Sequence, residues 1–195
     1  MRLPPRKLVA GLDLARRSDH SALVLLDVAP DGLTVSAALR LPQAPLRQQF
    51  APIAPHLASL DLLVFDQSGL GDAAAELLPK TPPRVGICLI GGDRPLARSA
   101  QGDRLIVGKS WLIQRLGKAM RSGELTVAER APGRELLRGE LERFVFKPGA
   151  RGRLRLEAAR GHDDLVIAAA LAVLAADPAA FHAALIPKPF AVDMR

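Results

Sequence analysis

One cysteine, one tryptophan and no tyrosine occur in 195 residues, and these scarcities narrow the chemistry before any motif is read. Cys88 stands alone inside the apolar run VGICLI, so an internal disulfide and a cysteine-built zinc site are both excluded. A small core residue in a reducing compartment fits it. Aromatic residues make up only 4% of the chain, too few to suggest a platform on which single-stranded bases stack. No apolar run reaches the roughly 18 to 20 residues that a bilayer-spanning helix needs. The opening MRLPPRKLVAGLDLA has a basic lead but places Asp13 inside its short apolar stretch, which fits neither a signal peptide nor an anchor. Internal repeats, a low-complexity linker and the G-x-S-x-G turn of serine hydrolases are also missing. A soluble chain is expected, with no membrane partner.

What is there in quantity is apolar residues, 49% of the chain, enough for one sizeable core. Lys and Arg number 27 against 20 Asp and Glu, a formal net charge of +7 that suits a polyanionic partner. Residues 7–15, 21–28 and 33–41 read as three strands, with Pro30-Asp31-Gly32 turning the second into the third as an antiparallel meander. A helical stretch over residues 45–59 follows. LDLLVFD, residues 60–66, is apolar almost throughout, as a strand covered on both faces is. A helix in GDAAAELLP, a buried strand in RVGICLI and an amphipathic helix in GKSWLIQRLGKAMRSGEL, stopped by Gly123, come next. The rest holds a helix over residues 133–146, a loop or hairpin around KPGARGRLRLEA, a strongly apolar helix in RGHDDLVIAAALAVLAADP and a proline-broken tail. This order predicts a single α/β domain over residues 1–195, with its core at 7–176 and a peripheral tail at 177–195. The sheet is mixed, an antiparallel three-strand meander joined to parallel strands, with helices on both faces.

Acids interrupt three of the apolar elements. Asp13 lies in the first strand, Asp66 closes the buried strand LLVFD, and Asp163 and Asp164 start the last apolar helix. If the first and fourth strands are neighbours and that helix packs across them, the carboxylates converge at the edge where open α/β sheets bind ligands. Such a cluster repels itself unless protonated or neutralised by a cation. Hard oxygen donors with few histidines suit Mg²⁺ or Mn²⁺ better than zinc, and two such ions would clamp a phosphodiester for attack by water. Simpler roles exist for each acid: Asp163 as an N-cap with Asp164 favoured by the helix dipole, Asp13 as a strand acid paired with an Arg, Asp66 in an Asx turn.

GLDLARRSDHSALVLLD, LLVFDQSGLGDAAAELL, VGKSWLIQRLGKAMRSGELTV, ELLRGELERFVF and GHDDLVIAAALA, in this order, resemble the nuclease domain of phage terminase large subunits, which has the ribonuclease H-like fold. The resemblance covers residues 7–176. It implies a metal-dependent DNA endonuclease that cuts concatemeric viral DNA during packaging, with two ions of Mg²⁺ or Mn²⁺. Asp13, Asp66 and Asp164 are the implied main ligands, and Asp19 and Asp163 the neighbours that hold a second ion or its water. The implied partners are double-stranded DNA, a separate ATPase domain or subunit, a small terminase and a portal, in the cytoplasm of a bacterial host. A Holliday-junction resolvase of the same fold and a DNA-binding or assembly module without turnover are the alternatives. An actin-like sugar kinase half shares the meander, but the chain is too short for two such lobes.

Terminase large subunits carry an ATPase domain ahead of the nuclease, and GDRLIVGKS does not supply its phosphate-binding loop. Asp103 stands where G-x-x-x-x-G-K-[ST] requires its first glycine. ATP-driven translocation is therefore not expected of this chain alone. Lys109 and Ser110 open the amphipathic helix, where a lysine and helix-start amides suit a phosphate and a solvated lysine is the plainer reading. Arg151, Arg153 and Arg155 alternate along RGRLRLE, so on an extended strand they share one face, which suits a duplex backbone or a charge-guarded edge strand. His162 stands beside the acids, as an orienting group or a helix-start histidine with a local hydrogen bond.

Overall fold

In the computed structural model the described residues are 7–15, 20–68, 76, 78–80, 82–148, 154–158 and 163–185. Eight strands form one mixed sheet in the order β6-β7-β5-β4-β1-β2-β3-β8. Its first half is the expected meander: β1 (Lys7–Asp13) pairs antiparallel with β2 (Ala22–Ala29), and β2 antiparallel with β3 (Gly32–Arg40). Parallel pairing then extends the other side through β4 (Leu62–Asp66), β5 (Arg84–Ile90) and β7 (Leu105–Gly108). The short strands β6 (Ala97–Arg98) and β8 (Leu125–Val127) close the two edges.

Strand alternation sorts the side chains of this sheet onto two faces. Ala10 and Leu12 of β1 and Leu63 and Phe65 of β4 face one core, covered by two short helices, α1 (Leu46–Phe50) and α2 (Ala54–Leu57), through Phe50, Ile53 and Leu57. Val9 and Val64 face the other core, built on α3 (Lys109–Arg121), α4 (Arg134–Arg143) and α5 (Asp164–Ala175). All twelve residues of α5 are buried, because β1, β2 and β4 lie beneath it and α3 and α4 flank it. Each buried Leu, Ile or Val there contributes roughly 1.5–3 kcal/mol.

The seam between β1 and α5 explains the glycine in GLD. A Cβ on Gly11 would lie 2.0 Å from the Ala168 carbonyl oxygen, 2.4 Å from the Ala172 nitrogen and 2.8 Å from Leu171 Cβ. The helix sits on the strand's backbone, an approach made possible by glycine below and alanines above. Gly11→Ala is therefore expected to destabilise the chain by about 3 kcal/mol, the upper range for an overpacked core, which a urea titration would measure.

Several boundaries differ from the sequence expectation. The helix expected over residues 133–146 ends at Arg143, and Phe144–Pro148 is instead strand β9, paired antiparallel with β10 (Leu154–Ala158) in a separate two-stranded sheet. The β-branched and aromatic FVF favours extended backbone, which accounts for the early stop. The helical stretch over 45–59 is broken into α1 and α2. Leu105–Gly108 is a strand that feeds directly into α3, as a segment of four residues beside a glycine-lysine pair did not reveal. Residues 178–185 form a last helix, α6, with Ala184 buried. The helix expected in GDAAAELLP lies largely outside the described residues.

Candidate metal centre

Asp13 is the last residue of β1, rather than inside it, and shares the face of Val9 and Gly11. That face is the one α5 covers. Gly11 touches the helix at Ala168, and one helical turn back from Ala168 is Asp164. Two residues along a strand and one turn of helix are nearly equal lengths, about 6.6 Å and 5.4 Å, so Asp13 comes up against the start of α5. β4 runs parallel beside β1 with Leu12 opposite Phe65, and the next step along both strands sets Asp13 beside Asp66. Asp66 follows Val64 by two residues and so faces α5 as well.

The electrostatics agree with this placement. Asp13's carboxyl is held well above its ordinary value, first by burial, then by the charges of Asp66, Asp164 and Asp163, with Lys109 pulling the other way. Among the described residues no Lys or Arg forms an ion pair with Asp13. For Asp66 the simpler reading holds in part. Its Oδ1 accepts the Ser68 backbone N–H at 2.8 Å and the Ser68 hydroxyl at 2.6 Å, an Asx turn at the end of β4. The Ser68 hydroxyl oxygen in turn accepts the Leu89 N–H at 2.6 Å, tying the turn to β5.

Asp163 stands at the N-cap position of α5 but its side chain caps nothing. Its Oδ2 instead accepts from Lys109 Nζ at 2.6 Å. The amide that most needs a partner, Leu165 N–H, is bonded at 2.9 Å by Glu140 Oε2 of α4. Glu140 is buried and also pairs through Oε1 with Arg40 at the end of β3. An outside carboxylate thus takes a first-turn amide of α5, while the Asp163 side chain turns to Lys109. Sequence reading did not single out Glu140; the signal is a carboxylate three residues after Leu137, inside the apolar stripe of an amphipathic helix.

Lys109 follows β7 directly, at the same carboxyl edge of the sheet, so its ammonium pairs with the cluster through Asp163 while its side chain stays 42% exposed. Among the described residues no three His, Cys, Asp or Glu side chains are grouped closely enough to hold one ion in common. The fit to a divalent cation is thus one of donor type and charge: hard carboxylate oxygens, mutually repelling, set around one end of α5. Two clefts, of about 440 and 620 Å³, lie at the opposite end of α5, around Ala176, and take no part in this cluster. Asp19, His162, Arg151 and Arg153 lie outside the described residues, and Arg155 is placed only as a residue of β10. No single helix among the described residues is long and apolar enough to cross a membrane.

No family model and no curated protein matches the chain by sequence. Solved structures do match. The large terminase nuclease from thermophilic phage G20c with bound magnesium is 26% identical, with a TM-score of 0.64 over 88% of this chain and 82% of that one. The large terminase nuclease domain of Thermus phage P74-26 is 23% identical, TM-score 0.62, over 86% and 78%. A human cytomegalovirus terminase nuclease domain, soaked with manganese, is 12% identical, TM-score 0.57, over 89% and 85%. The mixed sheet, the buried closing helix and these neighbours together give the chain the ribonuclease H-like fold and a structural likeness to the nuclease domains of terminase large subunits.

Proposed function

We propose that the chain is a divalent-metal-dependent endodeoxyribonuclease of the terminase large-subunit type, residues 1–195 forming one such domain. The observation that carries this reading is the strand register and the Gly11 contact, which together bring Asp13, Asp66 and Asp164 to one end of α5. Asp13, Asp66 and Asp164 would hold Mg²⁺ or Mn²⁺, two ions on this reading, with Asp163 and Asp19 beside them. Ions so bound supply an activated water and stabilise the leaving oxygen of a phosphodiester. The chain's own contribution is to pre-set the acids. The Asx turn at Ser68 orients Asp66, the packed seam fixes Asp13 against α5, and Asp13 must shed its proton before it can act as a ligand. Lys109, which pairs with Asp163, would be the lysine nearest the cluster able to contact a DNA phosphate.

The net charge of +7, with Lys109, Arg151, Arg153 and Arg155 as the proposed contacts, suits the backbone of double-stranded DNA and carries little sequence preference. On this reading the chain works in the cytoplasm of an infected bacterium, with an ATPase domain or subunit, a small terminase and a portal, cutting concatemeric DNA. Supercoiled plasmid incubated with the protein and Mn²⁺ is expected to be nicked or linearised, with EDTA stopping the reaction. Added salt is expected to weaken binding steeply, as counterion release dictates. An intact plasmid at low salt with Mn²⁺ would contradict the proposal.

A further inference from the structure

Glu140 has no place in the reaction proposed above, yet it is the most thoroughly buried ionisable group near the site, its side chain 0% exposed. One of its oxygens takes the Leu165 amide at the start of α5 and the other takes Arg40 from the end of β3. The helix that carries it is itself fixed to β3, because the Pro132 carbonyl accepts the Ala38 N–H at 2.8 Å and a Cβ on Gly133 would lie 1.7 Å from the Ala38 oxygen. The chain of contacts is therefore continuous: β3 holds α4, α4 presents Glu140, and Glu140 grips the first turn of α5.

We infer that Glu140 is the positioning residue of the metal centre, setting the height and phase of the α5 start so that Asp163 and Asp164 lie within electrostatic reach of Asp13. This rests on the metal-dependent reading of the site and adds to it a specific role for a residue that touches neither metal nor DNA. Two features of the geometry support it. A helix capped by its own Asp163 would turn that carboxylate back onto the helix amides, whereas here it reaches Lys109. Glu140 also brings its own countercharge, Arg40, so it grips the helix without adding an unbalanced negative charge to a cluster that is already self-repelling.

The test is Mn²⁺ binding to the full chain, read from the loss of the free-ion electron paramagnetic resonance signal, with thermal unfolding followed by circular dichroism. Glu140→Gln keeps the volume and an acceptor oxygen but loses the charge that holds Arg40. Glu140→Asp keeps the charge but is one methylene too short to reach Leu165. Both are expected to bind Mn²⁺ about 10–100-fold more weakly than wild type while giving its circular dichroism spectrum, the cost typical of losing a group that orients a ligand. Wild-type affinity in either folded variant overturns the inference, and so does loss of the fold in both, since Glu140 would then hold the fold rather than the site. Wild-type protein that binds no Mn²⁺ overturns the metal reading itself and the inference with it, and Asp66→Asn serves as the ligand-loss control.

Discussion

Asp66→Ala is expected to lower the rate of Mn²⁺-dependent plasmid nicking by more than about 100-fold, beyond what losing a group that only supports a ligand costs. The carboxylate ends β4 at the edge of the sheet, beside Asp13 across the parallel register and on the face that α5 covers. Its removal takes away a carboxylate of the cluster, and Ser68, bonded to it, offers only a hydroxyl and an amide in its place. The substitution also breaks the Asx turn, at a cost of about 1 kcal/mol for each lost hydrogen bond. Asp66→Asn separates the two effects. The amide oxygen still accepts from Ser68, so stability is expected to stay near wild type, while the missing negative charge leaves nicking as low as in the alanine variant. Nicking retained in Asp66→Asn would remove Asp66 from the ligand set.

The second large effect concerns Asp13 and runs in opposite directions for stability and for activity. The folded chain holds a proton on Asp13 at pH values where the unfolded chain, with the ordinary value of 3.8, has released it. Stability of the metal-free protein is therefore highest, as far as this group is concerned, below that value. It falls as pH rises from there through the raised folded value, and is flat beyond. Asp13→Asn removes the penalty because the amide never ionises. At neutral pH, without metal, its melting temperature is expected to exceed wild type by about 2–4 °C, what about 1 kcal/mol produces in a chain of this size. The same variant is expected to lose nicking and to lose the thermal upshift that Mn²⁺ gives wild type. In wild type that upshift is expected to grow with pH, because the cation competes with the Asp13 proton. Differential scanning calorimetry at several pH values, with and without Mn²⁺, reads all of these. A metal-free Asp13→Asn less stable than wild type at neutral pH would contradict this burial and charge penalty on the Asp13 carboxylate.

Much of this site was legible from residue types alone because each acid broke an apolar pattern. Asp13 and Asp66 stand out against runs that are otherwise Leu, Val, Ala, Gly and Phe, and Asp163-Asp164 against a helix with no other polar residue until Asp177. The meander was legible from its turn, whereas the neighbouring of β1 and β4 entered only as a condition that the strand register meets. The pieces that escaped are short or compensated. β7 has four residues and β8 three, and both owe their extended backbone to pairing with longer strands rather than to their own sequence. Glu140 and Arg40 lie 100 residues apart, and only the tertiary structure brings the half-buried Arg40 onto the buried Glu140. Lys109 reads from sequence as a phosphate contact or a solvated lysine, and its pairing with Asp163 is visible only in the tertiary structure.

Crystals of the chain soaked in MnCl₂ and measured at the manganese absorption edge test the acid cluster most directly. Anomalous density in contact with the carboxylates of Asp13, Asp66 and Asp164 is the predicted result. Density confined to other sites, with those three side chains bare at saturating manganese, would contradict it.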